Sequence, residues 1–359
     1  MPKILFVDDD VNVLNGLQRM LRVMRNEWQI AFADNGREAL ATLGREPFDI
    51  VVTDMRMPSM NGAELLAEVL QLHPQVVRII LSGQADLQNA LAGIGLAHQY
   101  LSKPTEPTVL IGVLKRVIGL LAQIPNPALR RSLNSLQSLP SAPHAYSQLI
   151  ELVRTPGCDA DSLAEIVASD MGLAAKTLQT AGSAFANSPC RGANVWQAVQ
   201  ILGPDLIRSL AIDTGVFTDL SQLDGAADRA LISELLASSS QRARCAAADT
   251  ARSEAAAESA TFELLRDVGQ VALAVALGAE HSAIHSACVE CGSAQADAES
   301  SRVGVCHRRA GSYLMGIWGL PETLTEAIAN ASFPISSSPL PVFNNQGSDA
   351  RHNFAEISR

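Results

Sequence analysis

Aromatic side chains are scarce: only 4% of the 359 residues are Phe, Trp or Tyr. With Ala and Leu abundant, that scarcity points to helix packing and away from a β-sandwich core. No apolar run reaches the roughly 18–20 residues needed to cross a bilayer. The opening MPKILFVDDD puts three carboxylates where the apolar stretch of a secretory signal would continue, so no signal peptide is expected. The six cysteines are scattered and read as reduced thiols, which favours a cytoplasmic location. Basic charge is also short. A net charge of −10 argues against non-specific nucleic-acid binding, which needs clustered Lys and Arg to displace counterions. No glycine-rich phosphate loop follows the first strand-like run; VDDDVNVLNG would repel a pyrophosphate there.

What is present is a set of abrupt strand ends. ILFVDDD at 4–10, IVVTDM at 50–55 and YLSKP at 100–104 run from apolar residues into charge, and RIILSG at 78–83 ends in a hydroxyl. Strand-like runs KILFV, WQIAFA, FDIVVTD, VVRIILS and HQYLSK alternate with helical patterns near 11–25, 36–45, 62–72, 86–95 and 106–122. Five β and five α units in alternation predict a doubly wound, five-stranded parallel sheet over 1–122. Its ligand site belongs beyond the carboxyl ends of the strands, where Asp8, Asp9, Asp54, Ser82 and Lys103 all stand. A carboxylate cluster, an isolated acceptor carboxylate, a hydroxyl and an ammonium suit a phosphoryl group on an aspartate beside Mg²⁺. Asp54 is the expected nucleophile, Lys103 the offsetting charge, and Ser82 a hydrogen-bond donor to a phosphoryl oxygen.

Prolines 125, 127, 140 and 143 then bracket a leucine-spaced segment, read as a linker helix over 123–135. From 136 to 331 the strand signal gives way to helical spacing, predicting an all-α unit. Asp161 or Ser162 is expected to cap one helix, and Pro204 and Pro321 to sit in first turns. The Ser-, Pro- and Asn-rich stretch 332–359 is expected to be disordered.

Residues 1–122 resemble the receiver domain of two-component response regulators, with VDDD, TDMRMPSMNG, LSG and KP in family order. The resemblance implies that Asp8 and Asp9 are the acidic pair and Asp54 the phosphoacceptor. It implies further that Ser82 and Tyr100 are the switch pair, and that Arg56 lends its backbone carbonyl as a third protein ligand to Mg²⁺. It also implies a sensor histidine kinase or phosphotransfer protein as phosphoryl donor, and control of the face formed by 86–122. Residues 136–331 resemble the HDOD domain, a helical relative of the HD-type metal-dependent phosphohydrolases. The resemblance rests on LQSLPSAPHAYSQLIEL at 136–152, SLAEIVASDMGLAAKTLQTAGSAF at 162–185, VWQAVQILG at 195–203 and CHRRAGSYLMGIWGLPETLTEAI at 306–328. An active HD site needs a His, a His-Asp pair and a further Asp. Here the pair reads Arg266-Asp267, and Ser238-Ser239-Ser240 replaces the upstream histidine. Arginine cannot ligate a cation, so no metal and no hydrolysis are expected in this unit. At Gly182 the chain departs from the Asn common in that family.

The expected output is binding of a downstream signalling protein, with cyclic-dinucleotide metabolism one candidate setting and a homodimer compatible with it. The alternatives are a degenerate phosphohydrolase acting on cyclic dinucleotides or nucleotides, and a nucleic-acid-binding regulator using Arg242, Arg244, Arg252 and Arg266. His285, Cys288 and Cys291 with Cys306 and His307 have a weak zinc-like spacing, outweighed by a plain core reading, and Trp196 and Trp318 read as core anchors.

Overall fold

The computed structural model describes residues 1–83, 93–182, 194–212, 214–223, 225–248, 254–291 and 294–330. The side chains at 82, 226–227, 248 and 289–291 fall outside that description. The expected helix at 86–95 therefore lies mostly outside the described residues, and the tail 332–359 lies wholly outside them.

The first unit is an α/β layer structure. Strands β1 (Lys3–Val7), β2 (Gln29–Ala33), β3 (Ile50–Asp54), β4 (Val77–Gly83) and β5 (Gln99–Lys103) form one parallel sheet in the order β2-β1-β3-β4-β5. β3 is buried along its whole length, as a central parallel strand covered on both faces must be. Helices α1 (Val11–Leu21), α2 (Gly36–Arg45), α3 (Gly62–Leu72) and α4 (Pro107–Leu121) supply those covers. Each start has a local cause. Asp10 accepts from Asn12 N–H, Asn35 accepts from Glu38 N–H, and Asn61 with Glu64 closes a capping box. Pro107 occupies a first-turn position where its missing N–H costs nothing. α1 ends four residues earlier than its periodicity predicts, tightening into a 3₁₀ turn over Arg22–Met24.

The second unit is helical, from α5 (Pro127–Ser135), α6 (Pro143–Arg154), α7 (Ala160–Val167), α8 (Met171–Ala181) and α9 (Val195–Ile212) through α10 (Ala226–Ala248) and α11 (Glu254–Leu265). It continues in α12 (Val268–Leu277), α13 (Ala279–Cys291), α14 (Gln295–Val303), α15 (His307–Ile317) and α16 (Glu322–Asn330). Three details differ from expectation. A two-residue parallel pair, β6 (Pro140–Ser141) with β7 (Thr218–Asp219), interrupts the helical region; two residues are too few for an alternating pattern to register. Asp159, not Asp161 or Ser162, caps α7 by accepting from Ser162 N–H, while Asp161 accepts from Gln200. Pro321 stands one residue ahead of α16, its carbonyl accepting from Thr325 N–H. Pro204 does open a helical stretch, after a kink in α9 where Gly203 takes φ 72°, a left-handed value that glycine alone adopts at no cost.

The two units share one hydrophobic core, continuous from Ile4 to Ile328. The segment read as a linker is part of that core. Leu129, Leu133 and Asn134 on α5 are buried, and the Asn134 amide donates to Gln75 O while its Oδ1 accepts from Tyr313 OH. The seam runs along β5, the sheet's last strand. Gln99 donates to the carbonyls of Gly316 and Ile317, at 3.2 and 2.9 Å, and Gln179 donates to His98 O at 3.0 Å. Arg116 donates to Leu320 O. Gly316 lets α15 approach α4 closely; a Cβ there would run into Leu120.

Two cations are buried in this seam with no carboxylate on either among the described residues. Arg78, 1% exposed, donates to the carbonyls of Leu96, Val76 and Asn134. His98 Nδ1 accepts from the Arg78 N–H, so its proton sits on Nε2 and is given to Asn134 O. Burial first, then the charge of Arg78, holds that imidazole well below its usual range. Lys176, also 1% exposed, donates to Ile94 O and Gln137 O, both at 2.8 Å, beneath the Trp318 ring. Burial pushes its ammonium down to about 7. A lysine with a lowered folded pKa opposes folding most at and below that value, so stability rises with pH between about 7 and the ordinary lysine range. Lys176→Met removes the dependence. The free energy of unfolding of the wild type should gain about 1 kcal/mol per pH unit on the variant across pH 7–9, measured by denaturant titration at each pH; parallel curves would contradict this.

Candidate functional site

The sheet order puts β1 and β3 side by side, with Val7 opposite Thr53, so Asp8 and Asp54 emerge next to one another. Both are largely buried, and each has one oxygen fixed by the backbone two residues on. Asp8 Oδ1 accepts from Asp10 N–H at 3.0 Å, and Asp54 Oδ2 accepts from Arg56 N–H at 2.6 Å. Lys103, from the end of β5, reaches across β4 and donates to Asp8 Oδ2 at 2.6 Å and to Asp54 Oδ1. Burial alone would lower the lysine's pKa, but the hydrogen bonds and charges of Asp54 and Asp8 outweigh it and hold the pKa above its usual value. Lys103 is therefore a firm cation bridging two carboxylates.

Of the residues expected at this site, the structure brings together Asp8, Asp54 and Lys103, with Arg56 in the loop after β3. Asp9 is exposed beside them, and Asp10 caps α1. Ser82 lies in β4 opposite Ser102, but its hydroxyl is outside the described residues. Tyr100 is buried on β5, where desolvation drives its phenol well above the usual range against the opposing pull of Arg78. Gly62 has a role that residue chemistry does not announce. A side chain there would strike the Asp54 carbonyl, so glycine lets α3 close tightly over the acceptor strand.

The donor set fits a hard divalent cation. Mg²⁺ takes oxygen ligands and keeps several waters, so one or two carboxylates suffice. Asp8 and Asp54 already converge on one positive group, with exposed Asp9 alongside. Among the described residues no group of three or more His, Cys, Asp or Glu side chains is arranged to hold a metal on protein ligands alone.

The helical unit places a cation of its own beside Asp267, the aspartate of the expected His-Asp position. Arg242 Nη2 pairs with Asp267 at 2.5 Å and its Nε lies 3.5 Å from Glu263, which also takes Arg266 at 3.2 Å. Ser238 and Ser239 donate back to carbonyls of their own helix. The residues of zinc-like spacing have other neighbours among the described residues. His285 faces Gln295, and Cys288 is buried with Ile284 and Val303. His307 Nδ1 and N–H both bond Glu299, each at 2.7 Å, while the Cys291 side chain is outside the described residues. Glu299, which sequence reasoning passed over, is wholly buried and also takes His281 and Gln295. Burial opposes its charge, yet the bonds from His281 and His307 bring its pKa down to about 2. Trp318 is buried and Trp196 half-buried, as core anchors would be.

With this geometry in hand, comparison with known proteins is decisive for the family. A model of the HDOD domain matches residues 139–334, and a model of the response regulator receiver domain matches residues 4–115. The chain belongs to the HDOD domain family. Its α/β unit is a response regulator receiver domain, and its role is regulatory.

The hydrogenase transcriptional regulatory protein HoxA of Cupriavidus necator is 32% identical over 179 residues, 46% of this chain and 36% of that protein. The response regulator protein PilR of Pseudomonas aeruginosa is 31% identical over 126 residues, 35% of this chain and 27% of that protein. The chain thus spans about a third or less of the length of these relatives. Among solved structures, the receiver domain of an HD domain-containing protein from Pseudomonas fluorescens Pf-5 matches at 31% identity. It covers 34% of this chain and 97% of that one, with a TM-score of 0.32. The MmoQ response regulator of Methylococcus capsulatus matches at 25% identity over 53% of this chain and 77% of that one, with a TM-score of 0.41.

Removing the bridging cation tests the balance of charge in the receiver site. Lys103→Met leaves Asp8 and Asp54 facing each other. In metal-free buffer it should cost about 1–2 kcal/mol, discounted from the usual cost of breaking a buried pair because the lysine is partly exposed. Millimolar Mg²⁺ should raise the thermal midpoint of the variant more than that of the wild type. Equal responses would show that the two carboxylates do not share a cation site.

Proposed function

We propose that the receiver takes a phosphoryl group on Asp54 and thereby controls protein binding by a non-catalytic HDOD domain. The observation that carries this reading is the double duty of β5. Its last residue, Lys103, bridges Asp8 and Asp54, while its first, Gln99, bonds the carbonyls that end α15. Five residues of one strand connect the acceptor site to the domain seam.

The donor is a sensor histidine kinase or phosphotransfer protein. An Asp54 carboxylate oxygen attacks phosphorus, the bond to the donor's imidazole nitrogen breaks, and the electron pair leaves with that nitrogen. Lys103 then has a phosphoryl oxygen as well as Asp8 to pair with, and its ammonium offsets the added charge. Mg²⁺, held by Asp8, Asp9, Asp54 and the Arg56 carbonyl, would supply further charge neutralisation. The Ser82 hydroxyl and Tyr100 are the proposed switch pair. A change in Lys103's partners shifts the strand that also carries Tyr100 and Gln99, which biases the seam between closed and open arrangements.

The HDOD domain is read as a binding module because Arg242 neutralises Asp267 and Glu263, where a hydrolase needs a divalent ion. Its partner is a downstream signalling protein, and cyclic-dinucleotide metabolism is one setting in which to look for it. Among the described residues no helix is long and apolar enough to cross a membrane. We assign residues 1–122 to the receiver, 123–135 to the connecting helix and 136–331 to the output domain.

Acetyl phosphate with Mg²⁺ should add one phosphoryl group by intact mass, and Asp54→Asn should abolish it. In the same samples, hydrogen exchange in 99–103 and 314–320 should quicken on phosphorylation. No adduct would overturn the acceptor assignment; an adduct without altered exchange would overturn the link to the seam.

A further inference from the structure

A five-stranded open sheet has two edges, and this molecule treats them differently. β5 is covered by helices of the HDOD domain, whereas among the described residues no strand lies beyond β2. Gln29 N–H donates to Pro2 O at 2.9 Å and Ala33 O accepts from Asp8 N–H at 3.2 Å. Odd-numbered residues of β2 therefore turn their backbone groups toward β1, and Ile30 and Phe32 turn theirs outward. Proteins usually blunt such an edge with charge, proline or a bulge. The sequence of β2, QIAFA, has no charge and no proline.

A groove of about 560 Å³ follows this edge, lined by Arg19, Arg22, Arg25, Trp28, Ile30 and Phe32. The aromatic and aliphatic members alternate along the strand and so share one face. The three arginines come from the end of α1 and the turn after it, are exposed, and enter no ion pair among the described residues. On a chain of net charge −10, an unneutralised run of three arginines beside an open strand is a local reversal of sign. The reversal is also directional. Asp34 and Glu38 line the neighbouring groove beyond Phe32, so the edge is basic at its Trp28 end and acidic at the other.

We propose that the β2 edge docks an acidic, extended segment of a partner protein. The segment adds as a sixth strand on the outward groups of Ile30 and Phe32, with its carboxylates over Arg19, Arg22 and Arg25. Main-chain bonds supply affinity, and the alternate side chains over Ile30 and Phe32, with the arginines, supply selectivity. This surface is separate from the acceptor site, so binding does not require phosphorylation.

Fluorescence anisotropy on the full chain tests this with a labelled alternating Glu-Val peptide of about six residues. The peptide should bind, and an alternating Lys-Val peptide should not. Binding should weaken about tenfold in Arg22→Glu/Arg25→Glu and on raising salt from about 50 to about 300 mM. A Glu-Val peptide with alternate amides N-methylated keeps its charge but loses strand donors, and should bind about tenfold more weakly. This control needs no change to the protein and is indifferent to folding of the variants. No binding at about 1 mM peptide, equal binding of the N-methylated peptide, or equal binding of single-stranded DNA of matched charge would overturn the proposal. So would self-association that the arginine reversal abolishes, since the occupant would then be a second copy of the chain.

Discussion

The short strand β5 sits under two demands at once, and much of the molecule is arranged around them. At its carboxyl end, Lys103 must lie close enough to Asp8 and Asp54 to neutralise two carboxylates that the parallel sheet forces together. At its other end, Gln99 must face the carbonyls of Gly316 and Ile317. An edge strand left open would invite pairing with other chains; here the helical domain covers it with side-chain amides and packed helices. Since a strand moves nearly as a rigid rod, displacement at one end cannot be confined there.

The chemistry of that cover matters as much as its existence. An interface made only of packed Leu and Ile would hold the two domains together and offer no discrete point of release. This seam also buries Arg78 and Lys176 with backbone carbonyls as their chief acceptors. Buried cations without carboxylates contribute little net stability, because desolvation offsets most of the hydrogen-bond gain. Yet once the carbonyls are engaged, removing a donor leaves them unpaired in a dry environment. Such a seam is well specified by its polar contacts.

The strand ends were legible in the sequence because parallel topology converts a linear pattern into a spatial one. Once five apolar runs alternate with helices, whatever follows each run must meet at the carboxyl edge, and Asp8, Asp54 and Lys103 do so. The helix starts at Asn61 and Asn35 went unread, although each cap and its partner lie within four residues. The seam was not legible. Its partners are backbone carbonyls far away in sequence, such as Gly316 for Gln99, and a carbonyl is the same in every residue. Asp159 was missed for a different reason: Asp159, Asp161 and Ser162 are all competent caps, and only the path of the chain selects one. Glu299 hid among exposed-looking polar neighbours, although its eight-residue spacing from His307 was a usable signal.

The HDOD domain holds a carboxylate pair of its own, closed by arginine. Asp267 and Glu263 persist as carboxylates, and two such groups near one another would repel if left alone. Arg242 settles them with a fixed, permanently charged guanidinium, and Arg266 adds a second contact. A divalent ion in the same place would have to displace a cation that cannot deprotonate, and would find no imidazole at 266 to complete its shell. The charge of the two carboxylates is thus balanced by protein groups. The carboxylates Asp8 and Asp54 differ in that their shared partner, Lys103, is a partly exposed lysine.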